Sequence, residues 1–165
     1  MLKKKAMVFI TCFCVLAVTV AGAVGLPNPV RDVTSEEMIN ETGISFVIPE
    51  GVTDEIYSII TMEADISQVQ FTLDGIEYCY RIQPSDELSD ISGMHYEWTV
   101  NSIVELPYAE AEVHFNEGEA GIILWYSAVM GLICSVSMDS GATEAALVAA
   151  AELNASWQAQ DEDCM

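Results

Sequence analysis

Apolar and polar residues alternate along much of this chain with a period near two, the pattern of strands that are half buried. Val69, Phe71 and Leu73 fall on one face, and Gln68, Gln70 and Thr72 on the other. Asp74-Gly75 follows, a pair suited to a two-residue type I′ turn. That turn sets Leu73 opposite Ile76, Phe71 opposite Tyr78 and Val69 opposite Tyr80. Tyr78, Tyr80 and Ile82 then point to the core, while Glu77, Cys79 and Arg81 share the polar face. A second hairpin is predicted within Glu119 to Trp157, the most continuously apolar stretch outside the first 26 residues. Its turn is Ser127 to Gly131, with Leu132, Cys134, Val136 and Met138 facing the core and Ile133, Ser135 and Ser137 facing away. Further strands are expected at Ile44 to Ile48, loosely at Glu55 to Glu63, at His95 to Val104 and at Ala109 to Asn116. In the last of these Ala111, Val113 and Phe115 alternate with Glu110, Glu112 and His114.

Two segments read as helices. Thr34-Ser35-Glu36-Glu37 is a capping box that opens a helix over about Ser35 to Glu41, closed by Gly43. After a cap at Asp139-Ser140-Gly141, Ala146, Ala149, Ala150, Leu153 and Trp157 form a stripe at helical spacing. The fold class expected is α+β: a mainly antiparallel sheet of about six to seven strands, with a short N-terminal helix and a C-terminal helix packed on it. Residues 35–157 form one domain, 24–34 an extended lead-in stiffened by Pro27 and Pro29, and 158–165 an acidic tail. No internal repeat or linker divides the chain.

The first residues change the picture of location. Met1 to Lys5 is basic, Ala6 to Val20 is apolar, and Ala21-Gly22-Ala23 is an A-x-A site, the three parts of a secretory signal peptide over residues 1–23. An uncleaved anchor is the alternative, because Ala6 to Leu26 is about long enough to span a bilayer. Localisation outside the cell follows from either reading, free or membrane-anchored. Two sequons, at Asn40 and Asn154, fall on predicted helices behind a leader of bacterial character and read as chance matches.

Charge excludes some partners. All three lysines lie in the leader, so the remaining chain sets Arg31 and Arg81 against 26 acidic residues. Such a chain repels phosphate backbones, and no nucleic-acid partner is expected. Membrane contact is expected only through an uncleaved leader. Cys79, Cys134 and Cys164 remain after cleavage, an odd number in a secreted chain.

Chemistry is sparse. His95 and His114 are the only histidines and neither has a second ligand at zinc spacing. Asp86, Glu87 and Asp90 share a loop without the calcium-loop pattern, and weak Ca²⁺ binding stays open. There is no G-x-S-x-G elbow, no Cys–His pairing and no phosphate-binding glycine loop. No cofactor is expected and no catalytic residue is assigned. Arg81 is expected in a structural ion pair with Glu77 on its own face or Asp90 in the following loop, tying loop to sheet. Ala128, Val129 and Met130, apolar at a hairpin tip, are the candidate contact surface unless the last helix or a loop covers them.

Tyr80-Arg81, Asp90-Ile91-Ser92-Gly93 with Tyr96 after it, and Trp125 in the penultimate strand together resemble a known family. This is the extracytoplasmic bacterial domain-of-unknown-function family four-three-six-seven, of the anti-sigma-factor-associated and secreted clostridial type. The resemblance covers about Pro27 to Leu153. The chain departs from the pattern in its apolar Ser127 to Gly131 turn and in Cys134-Ser135, where a Tyr-Ser pair is usual. The resemblance supplies no catalytic residues and implies sensing or protein contact outside the membrane. Only Met1 to Lys5 precede the apolar run, so no cytoplasmic half is expected here. The resulting expectation is a secreted or envelope-attached, non-enzymatic domain that binds an extracellular or envelope protein. The alternative is a carrier of a small apolar ligand or lipid in a sheet cavity.

Overall fold

The computed structural model of the protein describes residues 28–160, with side chains through Leu153. The predicted leader, Cys164, the side chain of Trp157 and the end of the acidic tail lie outside the described residues.

Eight strands and two helices follow in the order β1 (Val30–Val33), α1 (Ser35–Thr42), β2 (Thr53–Ile60), β3 (Ile66–Leu73), β4 (Ile76–Pro84), β5 (Val100–Leu106), β6 (Ala109–Phe115), β7 (Gly121–Ser127), β8 (Leu132–Met138) and α2 (Glu144–Gln160). All strands join one antiparallel sheet in the order β1-β2-β3-β4-β8-β7-β6-β5. Two meanders, β1 to β4 and β5 to β8, meet where β4 pairs with β8. The class is α+β, with eight strands rather than six to seven.

The Asp74-Gly75 hairpin has the expected register, Leu73 with Ile76, Phe71 with Tyr78 and Val69 with Tyr80. Both turn residues have positive φ, 54° and 82°, as a type I′ turn requires. The loose alternation after Glu55 has a local cause: the register of β2 against β3 shifts between Thr53 and Ile56, and Asp54 sits at φ 56°. A bulge of this kind breaks the two-residue period.

Two strand expectations are corrected. Ile44 to Ile48 forms no ladder; Ile44 is buried, and Phe46 and Ile48 pack against the same core cluster as α2. The ladder position beside β2 is taken by β1, from the presumed lead-in, whose Val-Arg-Asp-Val sequence has no alternation to reveal it. An edge strand needs only backbone pairing on one side, so its side chains can carry little signal. Residues 95–99 likewise belong to the link before β5, not to the strand.

One sheet face carries the main core. Val69, Phe71, Tyr80, Ile82, Val113, Ile123, Trp125, Cys134 and Val136 meet Leu147, Ala150 and Ala151 of α2 there. The helix begins one turn later than the sequence indicates, with Thr143 Oγ1 accepting from the Ala146 N–H at 3.1 Å. Asp139 instead accepts from the Glu77 N–H at 3.0 Å and holds the β4–β8 end of the sheet. The buried stripe is therefore Leu147, Ala150 and Ala151, while Ala149 and Leu153 of the expected stripe are exposed. Alanines on nearly every side of this helix give the sequence no sharp boundary between its faces. Glycine at 121 lets the helix approach: a Cβ there would stand 2.7 Å from Ala142 Cβ and 2.9 Å from Leu147 Cδ1.

α1 sits at the margin of the sheet. Thr34 and Glu37 make the reciprocal capping bonds, Met38 is its one buried residue, and Thr42 Oγ1 accepts from Ser67 Oγ at 3.1 Å. It does not cover the sheet as α2 does.

Candidate functional site

The second sheet face was expected to be a solvated polar surface, and it is only partly so. β4 ends next to β8, whereas β5 begins at the far edge, so residues 85–99 must cross β8, β7 and β6. Leu88 and Ile91 of this crossover pack with Ile66 and Ile133. Ser135, Ser137 and Gln68 are consequently buried although they face away from the main core.

Arg81 holds the crossover in place, but not through a carboxylate. Its Nε donates to Gln68 Oε1 at 2.7 Å and its Nη1 to the Ile91 carbonyl at 2.9 Å. Gln68 Nε2 in turn donates to Ser58 Oγ and to Gln70 Oε1, at 3.1 and 3.2 Å. Among the described residues Arg31 pairs with Glu41 and no carboxylate stands within ion-pair distance of Arg81, so the expected pairing of Arg81 with Glu77 or Asp90 is corrected. Glu77 shares the face but lies four residues earlier on the strand, about 13 Å away at strand rise. Asp90 Oδ1 is engaged by the Ser92 N–H at 2.8 Å, and Ser92 Oγ accepts from the Met94 N–H at 3.1 Å. These short-range bonds fold the Asp90-Ile91-Ser92-Gly93 turn around the guanidinium. Gly93, at φ 70°, closes it: a Cβ there would lie 2.4 Å from Arg81 Nη1. Arg81 and the Asp90-Ile91-Ser92-Gly93 turn thus form one structural latch.

Two open clefts flank the crossover. One, of about 240 Å³, is bounded by Asp54, Ile56, Gln70, Cys79, Met94 and Ser137 among others. Burial pushes the Cys79 thiol up, and the smaller opposing effects of Arg81 and Ser137 do not reverse it. A thiol in that state is protonated at neutral pH and a poor nucleophile. Cys79 and Cys134 lie on opposite faces of the sheet. The other cleft, of about 300 Å³, lies between Asp90 and Trp98 of the crossover and Glu112, His114, Ile122 and Leu124 of the sheet. There His114 Nδ1 is 2.6 Å from Asn101 Oδ1, and Nε2 is 3.5 Å from Glu112 Oε2. No group of three or more His, Cys, Asp or Glu side chains among the described residues is arranged to hold a metal ion.

The β7–β8 turn presents its apolar residues to solvent, Val129 most of all. Val129 is 94% exposed and Met130 39%, with Ala128 exposed beside them, and none of the described side chains covers Val129. The turn is firmly built, with the Gly131 N–H donating to Ser127 O at 2.8 Å and Ser85 N–H to Gly131 O at 2.9 Å. Strand registers put two other turns at this same end of the sheet, β2–β3 with exposed Met62 and β5–β6 with exposed Tyr108. Sequence reading missed these companions because strand order, not local pattern, brings the three turns to one end. No described helix is long and apolar enough to cross a membrane. No family model matches the chain, and neither a curated protein nor a solved structure matches it.

Proposed function

We propose that this chain is a secreted or envelope-attached binding domain that acts by protein contact through the turns at one end of its sheet. The observation that carries the reading is the set of exposed apolar residues Met62, Tyr108, Val129 and Met130 on three turns at that end. Loops on a rigid scaffold are the usual seat of recognition, and apolar side chains gathered there favour association. The space between α2 and the sheet is filled by Trp125, Leu147, Ala150 and Ala151, which supports contact over carriage of an apolar ligand. The basic, apolar and small-residue run of the first 23 residues supports a place outside the cell.

Site-specific photo-crosslinking tests this. A photoreactive side chain at position 129, with one at exposed Glu117 on the opposite end as control, is placed in the protein produced by its own host. A discrete protein adduct from 129 and none from 117 is expected. Equal adducts from both positions, or only small-molecule adducts by intact mass, would overturn the reading, the latter in favour of a carrier.

A further inference from the structure

The two open edges of the sheet differ. β1 is four residues long, follows Pro29, and carries Arg31 in an ion pair with Glu41. Short length, proline and charge are the features that close an edge to further pairing. β5, at the other edge, is seven residues long, keeps an unbroken register with β6, contains no proline and bears one charge, Glu105.

Its outward bonding groups follow from the ladder. The Asn116 N–H donates to Ala120 O at 3.0 Å, so this opposed pair is a hydrogen-bonded one. Bonded and non-bonded pairs alternate in an antiparallel ladder. His114 and Glu112 therefore bond toward β7, and Phe115, Val113 and Ala111 toward β5, opposite Val100, Ser102 and Val104. Thr99 Oγ1, which reaches Phe115 O at 3.4 Å, agrees. The N–H and C=O groups of Asn101, Ile103 and Glu105 are left facing out of the sheet, and the Ile103 side chain is 65% exposed.

Carboxylates dominate the charge around this edge, with His114 opposite Asn101 as the one titratable base beside them. Glu105 lies on it, Glu110 and Glu112 on the adjoining strand, and Glu97 on the approach. Glu144 of α2 borders it on the core side, its Oε2 accepting from Ser102 Oγ at 2.7 Å. No Lys or Arg occurs anywhere after Arg81. A second copy paired here would set like charges together at short range.

We propose that β5 accepts an extended, lysine- or arginine-bearing segment of a partner protein as an added strand. Backbone bonds to Asn101, Ile103 and Glu105 give the pairing, and alternate cations meet the flanking carboxylates, which gives the selectivity. β5 meets the turn end only at its last residue, and the crosslink at position 129 and the exchange at Asn101, Ile103 and Glu105 are read separately, so either reading can fail without the other.

The test is amide hydrogen exchange of the full protein with a peptide matching β5 in length and alternating lysine and valine. The same peptide with glutamate for lysine is the control. The lysine peptide is expected to slow exchange at Asn101, Ile103 and Glu105, with affinity that falls as salt rises. Ile103→Pro removes one outward donor without touching the β6 ladder and should weaken binding about tenfold or more, with a nearly unchanged melting point. Should that variant not fold, Ile103→Lys keeps every backbone donor and is expected to weaken the lysine peptide by charge. Equal binding of the two peptides, or no protection at those three amides, would overturn the proposal. Protection that appears on raising protein concentration alone would overturn it too, by assigning the edge to a second copy.

Discussion

Replacing Gly93 by alanine probes the latch that holds the crossover to the sheet. Two costs should add. At φ 70° any L side chain is strained, by roughly 1–2 kcal/mol. The new Cβ would also stand 2.4 Å from Arg81 Nη1. An arginine end can swing aside, but only by giving up its 2.9 Å bond to the Ile91 carbonyl. A hydrogen bond to a charged group contributes about 1.5–3 kcal/mol, and partial exposure of Arg81 lowers this to about 1–2 kcal/mol. The total is about 2–4 kcal/mol, or a melting point lower by about 6–12 °C for a domain of this size. Gly43→Ala is the matched control, because Gly43 has φ 73° and nothing within 4 Å of its added Cβ. It should show the strain cost alone. In an Arg81→Met background, Gly93→Ala should then cost no more than Gly43→Ala does, a coupling read by thermal melts of the four variants. Equal melting shifts for Gly93→Ala and Gly43→Ala in the parent chain would refute the latch. So would a Gly93→Ala penalty that stays larger than that of Gly43→Ala once Arg81 is lost.

Gly121→Ala should damage the core itself, because its Cβ would press on Ala142, Phe115 and Leu147, none of which ends in a long flexible chain. Overpacking of this kind costs roughly 1–3 kcal/mol, measurable by denaturant unfolding, and an unchanged midpoint would contradict the close approach of α2. The phenols give a pH signature. Burial pushes Tyr57 up to about 12 and also raises Tyr78, Tyr80 and Tyr108. The folded state then holds these protons more tightly than the unfolded chain does. Their contribution to stability is complete below about pH 10 and is lost as pH rises through the folded values. Phenolate absorbance followed with circular dichroism should show late ionisation coupled to alkaline unfolding. Ionisation of all six tyrosines near the ordinary value, with the fold intact, would contradict the shielding of these four hydroxyls from water.

The latch also shows how a correct clue can carry a wrong mechanism. Tyr80-Arg81 and Asp90-Ile91-Ser92-Gly93 stand out in the sequence, and the structure does join them. The link is a guanidinium on a backbone carbonyl, however, and backbone atoms have no signature in a list of side chains. Gln68, which completes the grip, read as an ordinary solvent-facing residue of an alternating strand.

What the sequence determined by itself was local. The Asp74-Gly75 turn and the alternation around it were enough for the register of β3 against β4, because a type I′ turn leaves one pairing open. The core-facing residues of β8 followed from period two in the same way. Only the tertiary structure decided the rest: β1 at the edge in place of 44–48, β4 beside β8, and the crossover that buries Ser135 and Gln68. It alone also gathered three turns at one end and left β5 open at the margin. Alternation says which side chains share a face. It does not say which strand lies next to which, because that depends on pairings between residues far apart in the chain.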